Sequence, residues 1–113
     1  MRSESGDLLQ GTLGILILKA LLAGPAHGYG IARWVEDATD VLRIEEGSLY
    51  PALRRLEDRG WVHSEWGLSE NNRRARFYTI SAAGRTHLRS EAAQWMRYAG
   101  AVTQVLRAAP ALA

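Results

Sequence analysis

A chain of 113 residues, 47% of them hydrophobic, has material for one core and is most simply one compact domain with an appended helix. The absence of cysteine excludes a disulfide framework and a thiolate metal site, which fits a reducing compartment. The net charge of +2 is unevenly placed: residues 1–50 carry four basic and seven acidic side chains, residues 51–89 carry eight arginines and four acids, and residues 71–89 carry five arginines and no acid. Lys19 is the only lysine. Arginine suits bidentate contact with phosphate or guanine, so this basic patch points to a polyanionic partner.

Residues 1–7 are polar and acidic and are expected to form a flexible tail, as are residues 108–113. The first helix is Leu8 to Leu22. Its apolar residues cover nearly the whole circumference. One side is therefore expected to pack on the core, and the other on the C-terminal helix or on a second subunit. The apolar run Leu13 to Leu22 carries Lys19 and is too short to span a bilayer, so the expected setting is the cytoplasm, without membrane contact.

Ala23-Gly24-Pro25-Ala26 ends this helix, and His27-Gly28 leads into a second one from Tyr29 to Thr39. Tyr29, Ile31, Trp34 and Val35 supply its packing residues. The run Gly28-Tyr29-Gly30-Ile31-Ala32-Arg33 begins like a dinucleotide fingerprint. Arg33 stands where the third glycine belongs and no strand precedes it, so that reading is rejected. Val41 to Ile44 is a short strand or an extended connector.

Gly47 to Gly60 is a third, short helix. Ser48 is its candidate N-cap, Pro51 falls in the first turn where an N–H is dispensable, and Gly60 is the C′ stop. Leu49, Leu53, Leu56 and Gly60 share the inward face, which leaves Ser48, Pro51, Arg54, Arg55 and Asp58 to solvent. A helix offering serine, tyrosine and paired arginines suits a DNA major groove, although taken alone it reads more readily as an amphipathic surface helix with solvated charges, and its surroundings shift that balance.

Trp61 to Trp66 alternates as a strand, Gly67 to Arg74 makes a flexible arginine-bearing turn, and Ala75 to Ile80 returns. Three helices followed by such a hairpin make a winged helix-turn-helix. Ser81 caps a last helix that runs to about Arg107. Its apolar positions Leu88, Ala92, Trp95, Ala99, Val102 and Leu106 step by four and three, a narrow seam that favours helix–helix association and a two-fold dimer. The expected fold class is therefore mainly α with a small β-hairpin. Residues 8–80 form the winged helix-turn-helix and 81–107 the dimerisation helix, and Leu9 and Leu13 of the first helix join the interface.

Several blocks carry a family resemblance: Leu9-Gln10-Gly11-Thr12-Leu13, Gly24-Pro25-Ala26-His27-Gly28-Tyr29, Gly47-Ser48-Leu49-Tyr50-Pro51-Ala52-Leu53, Arg55-Leu56-Glu57, Gly60-Trp61-Val62, Trp66, Ser69-Glu70-Asn71-Asn72-Arg73-Arg74 and Phe77-Tyr78-Thr79-Ile80-Ser81-Ala82-Ala83-Gly84. In order and at this spacing, over about residues 8–96, they resemble the PadR-like transcriptional regulators, and most closely the short members that end in one helix. The resemblance implies a homodimeric repressor on a palindromic double-stranded DNA operator. Ser48, Tyr50 and Pro51 match the recognition-helix motif, and Arg73 and Arg74 the basic wing. It also implies a small aromatic effector between subunits, with Trp95 in the region of a ligand-stacking tryptophan.

On that frame Arg54, Arg55, Arg73, Arg74 and Arg76 are candidate phosphate contacts, and Ser48, Tyr50 and Arg54 are better placed for base edges. Two recognition helices about 34 Å apart would read successive groove faces. Arg76 shares a strand face with Tyr78 and Ile80, and an acid is an alternative partner for it. Tyr50 is read either as a base contact or as partly packed on the domain, and Trp95 either as a bulky interface residue or as one wall of an effector slot. Catalysis finds no support. His27, His63 and His87 lie in different elements, no metal or cofactor site is evident, and Ser48 and Ser81 are explained as caps. The alternative of another class is a winged protein–protein interaction module without specific DNA binding.

Overall fold

The computed structural model describes residues 4–111, and their side chains from residue 11. The order is α1 (Glu4–Ala20), a 3₁₀ turn (Leu21–Ala23), β1 (Ala26–His27), α2 (Gly28–Ala38), α3 (Glu46–Asp58), β2 (Val62–Leu68), β3 (Arg74–Ile80) and α4 (Ala82–Arg107). This is a mainly helical winged helix-turn-helix with an antiparallel sheet in the order β1-β3-β2. Helical spacing places Leu13, Ile17 and Leu18 of α1, Ile31 and Val35 of α2, and Leu49, Leu53 and Leu56 of α3 in one buried cluster. Val62, Tyr78 and Ile80 close it from the sheet, and Leu88 from α4. Full burial of a Leu or Ile side chain contributes about 1.5–3 kcal/mol, so five such residues (Ile17, Leu18, Leu21, Ile31 and Leu53) anchor the domain.

The helix ends show local chemistry at work. His27 is the N-cap of α2, its Nδ1 accepting from the Gly30 N–H at 3.0 Å, and Ser81 caps α4 by accepting from the Gly84 N–H at 3.0 Å. At the end of α3 the Trp61 N–H donates to the Leu56 carbonyl and the Gly60 N–H to the Glu57 carbonyl, both at 3.0 Å, with Gly60 at φ +76°. That is the double bond of a Schellman stop, as expected at Gly60. Gly60 itself lies beyond the helix and is exposed, not on the inward face.

Four further sequence expectations change. α1 starts at Glu4 instead of Leu8, so residues 4–7 are helical; residues 1–3 and 112–113 of the expected tails lie outside the described residues. Ser48 is not the N-cap of α3: Glu45 holds that position without a side-chain cap bond, and its carbonyl accepts from the N–H groups of Ser48 and Leu49 at 3.0 and 2.9 Å. Glu46 in the first turn favours this earlier start, because a carboxylate suits the positive end of the dipole. Pro51 therefore lies inside the helix, one turn later than expected, and leaves the carbonyl of Gly47 without its intrahelical donor on an exposed face. On α2 only Ile31 and Val35 are buried, whereas Tyr29 and Trp34 face solvent.

Val41 to Ile44 forms no strand. It is a connector pinned where the Ile44 N–H donates to Glu36 Oε2 at 2.8 Å. The strand β1 was not foreseen. Its two residues pair Ala26 with Tyr78 and His27 with Phe77, too short a segment to show a period.

Candidate nucleic-acid interface

The hairpin carries one face from the core to solvent. Because side chains alternate and the register pairs Val62 with Ile80, Ser64 with Tyr78, Trp66 with Arg76 and Leu68 with Arg74, this face passes from two buried aliphatics to exposed aromatic and basic groups. α3 lies beside it. Its apolar residues Leu49, Ala52, Leu53 and Leu56 point inward, while Tyr50, Pro51 and Arg54 remain exposed.

Between them lies a groove of about 600 Å³ whose walls include Tyr29, Tyr50, Trp66, Arg73, Arg74 and Arg76. Among the described residues the one carboxylate lining it is Glu70, 3.8 Å from His27 Nε2. Arginines and half-exposed aromatic rings on one concave surface suit a phosphate backbone and the base edges beside it. Tyr50 is 47% exposed and its ring rests on the backbone of Gly28, so one part of the side chain packs on the domain and the rest is open to solvent.

The wing tip is closed by hydrogen bonds. The Ser69 N–H donates to the Arg73 carbonyl and the Asn72 N–H to the Ser69 carbonyl, both at 2.8 Å, while Asn72 adopts φ +61° as the Asn-Asn turn required. Arg74 lies over the Trp66 ring at 4.5 Å, and Arg73 is exposed beside it. Arg76 is differently engaged. Its Nε donates to Ser64 Oγ at 2.8 Å, its Nη2 lies 3.8 Å from Glu57 Oε2, and its guanidinium sits 5.4 Å from the Trp66 centroid.

The family model for "Transcriptional regulator PadR-like family" matches residues 17–90. The chain belongs to that family. A PadR family transcriptional regulator from Eggerthella lenta is similar at 33% identity, with 91% of this chain and 88% of that one covered and a TM-score of 0.77. A transcriptional regulator from Clostridium thermocellum is similar at 28% identity, covering 87% and 96%, with a TM-score of 0.78. A protein encoded in a Streptomyces fradiae transposon is 39% identical over 88 residues, which are 78% of this chain and 24% of that protein. This PadR-like chain is accordingly a DNA-binding transcription regulator and not an enzyme.

The remaining residues singled out from the sequence are dispersed. Arg54 is exposed on α3 without lining the groove, and Ser48 is half-buried within the helix. Arg55 faces a separate cleft of about 200 Å³, with Gly11, Arg59, His87 and Glu91 among its lining residues. Leu13 and Leu88, expected at a subunit interface, are 2% and 8% exposed and belong to the protomer's own core. The side chain of Leu9 lies outside the described residues.

On α4, Ala92 packs partly against the core and Ala99 is half-buried, while Trp95, Val102 and Leu106 are exposed. Trp95 and Met96 line an apolar groove of about 680 Å³ with Ile15, Leu16 and Leu22 of the α1 side.

Sequence reasoning assigned no functional role to Tyr29 or Trp66. Arg33 Nη1 donates to the Tyr29 hydroxyl at 2.9 Å, and this bond, with Asp37 nearby, holds the guanidinium charged more firmly than usual. The available signal was spacing. With Ile31 and Val35 inward, Tyr29 falls on the far side of α2. Among the described residues no group of His, Cys, Asp and Glu is arranged for a metal, and no helix is long and apolar enough to cross a membrane.

Proposed function

We propose that this regulator is a homodimeric repressor that binds a palindromic operator through two copies of the α3–wing groove. The supporting observation is the gathering of Tyr50 from α3 with Arg73 and Arg74 from the wing around one groove. Phosphate contacts from Arg73, Arg74 and Arg54 would fix register, and Tyr50 with Ser48 and Pro51 would meet base edges. In this reading residues 8–80 read DNA in the cytoplasm, and residues 81–107 hold two copies together through Trp95, Ala99, Val102 and Leu106. An aromatic effector fits the same reading. Trp95 is 46% exposed on an apolar groove, so a flat ring stacked there between subunits would change the separation of the two reading heads.

The test is a titration of duplex DNA from upstream of the chain's own gene against a scrambled duplex, at two salt concentrations, with the mass of the complex measured. Selective, salt-dependent binding of two chains per site supports the proposal. No binding at low salt sinks it and favours a winged module that docks on protein.

A further inference from the structure

The outer half of the wing has little of its own to hold it in place. Beyond the buried Val62, Tyr78 and Ile80 and the β1 pairing that reaches Phe77, the face bearing Trp66, Leu68, Arg74 and Arg76 is exposed, and a two-stranded ribbon is by itself only marginally rigid. Yet a phosphate contact from Arg74 helps an α3 base contact only if wing and helix keep a fixed angle.

One connected line of side chains spans that gap. Glu57 stands on α3, and its Oε2 accepts from the Ser64 hydroxyl of β2 at 2.7 Å. Ser64 has one proton, which it gives to the carboxylate, and its lone pair accepts from Arg76 Nε of β3 at 2.8 Å. Arg76 Nη2 then comes within 3.8 Å of the same Glu57 oxygen, closing a three-residue ring of charge-assisted contacts. The Arg76 guanidinium also lies against Trp66, whose ring carries Arg74 at 4.5 Å. Every donor direction on Arg76 named here turns toward protein.

We propose that Glu57, Ser64 and Arg76 form a strut that sets the wing's angle to the recognition helix, with Trp66 transmitting its position to Arg74. Arg76 is then a positioning residue for DNA binding and not a phosphate contact. Glu57, an acid on the DNA-reading helix, strengthens binding although its charge opposes the polyanion. The inference rests on the reading of the α3–wing groove as the DNA site.

The sign of one substitution tests it. Duplex affinity is measured across a salt series for the full chain and for Glu57→Gln, Arg76→Gln, the double variant and the milder Ser64→Ala, with melting curves to show that each is folded. The strut predicts that Glu57→Gln weakens binding about tenfold, the scale of one charge-assisted hydrogen bond. It also predicts that Arg76→Gln leaves the salt slope unchanged, that the double variant is little worse than either single one, and that Ser64→Ala falls in the same direction without any change of charge.

A phosphate-contacting Arg76 would instead lower the slope by about 0.9, and Glu57→Gln, by removing a negative charge, would tighten binding. Either result overturns the strut. If the wild type fails to distinguish operator from scrambled duplex, the operator reading falls, while the slopes and signs on any duplex still decide the strut. If the wild type binds no duplex at all, both fall.

Discussion

The Tyr50 ring rests so closely on the backbone of Gly28 that a methyl group there would lie 2.7 Å from its hydroxyl oxygen. Glycine at the start of α2 thus gives the exposed tyrosine of α3 its seat. Gly28→Ala is expected to push the half-exposed ring outward instead of unfolding the domain, because only the end of one side chain must move. Operator affinity should fall about tenfold while the melting temperature shifts by only a few degrees. Isothermal titration and a thermal melt separate the two effects, and a large loss of stability with normal affinity in the folded fraction would refute this account.

Arg73 and Arg74 are exposed at the wing tip and hold no part of the core. Replacing both with alanine should leave the melting temperature unchanged and weaken binding of specific and scrambled duplexes alike. The log–log salt slope should drop by about 1.8 per chain, the value for two lost phosphates. Loss confined to the operator duplex would mean that one of them reads a base.

The first turn of α4 is docked closely on Trp61, in the link between α3 and β2. At Gly84 a Cβ would fall on the Trp61 carbonyl oxygen, a backbone atom that cannot swing away. The Trp61 carbonyl is also the acceptor for the Ser81 N–H at 2.9 Å, so moving it disturbs the cap of α4 as well. Gly84→Ala should destabilise the domain by about 1–3 kcal/mol, measured by urea unfolding, despite the better helix propensity of alanine.

Alkaline stability should report on Tyr78. Burial pushes its phenol pKa above the ordinary value of 10.0, and Glu57 adds to the effect while Arg76 opposes it. The folded state therefore keeps the proton at pH values where the unfolded chain loses it. The resulting stabilisation is complete below pH 10.0 and disappears as pH rises through the folded pKa. Tyr78→Phe should flatten that alkaline limb in a series of melts and leave the neutral range nearly level, and an equally steep limb in the variant would exclude Tyr78 as its source.

On α4, Val102 and Leu106 face solvent in the protomer. If two copies pair through α4 as proposed, Val102→Asp should lower the sedimenting mass to that of one chain without altering secondary structure, since Val102 is not part of the protomer's buried core. An unchanged mass would remove α4 as the interface.

Spacing and end signals made much of this legible in the sequence. The Leu49, Leu53 and Leu56 period gives the inward face of α3, Ser81 announces α4, Gly60 stops α3, and Asn71-Asn72 turns the wing, because each depends on interactions within a few residues. The start of α3 was misjudged at Ser48 for the same reason. A serine is a good cap wherever it stands, but the helix begins at Glu46, just beyond a connector held by Glu36 at the Ile44 N–H.

Composition and local pattern were enough to determine four helices, a basic hairpin and the Tyr50–Arg73–Arg74 candidates. Tertiary structure alone decided which of those groups meet. It turned Tyr29 outward into the groove, sent Arg55 to another cleft, absorbed Leu13 and Leu88 into the core, and tied Arg76 to Glu57 across 19 positions of chain. Apart from the outward face of Tyr29, which helical spacing allows, those outcomes rest on contacts between residues distant in sequence, which leave no period for a local reading to find.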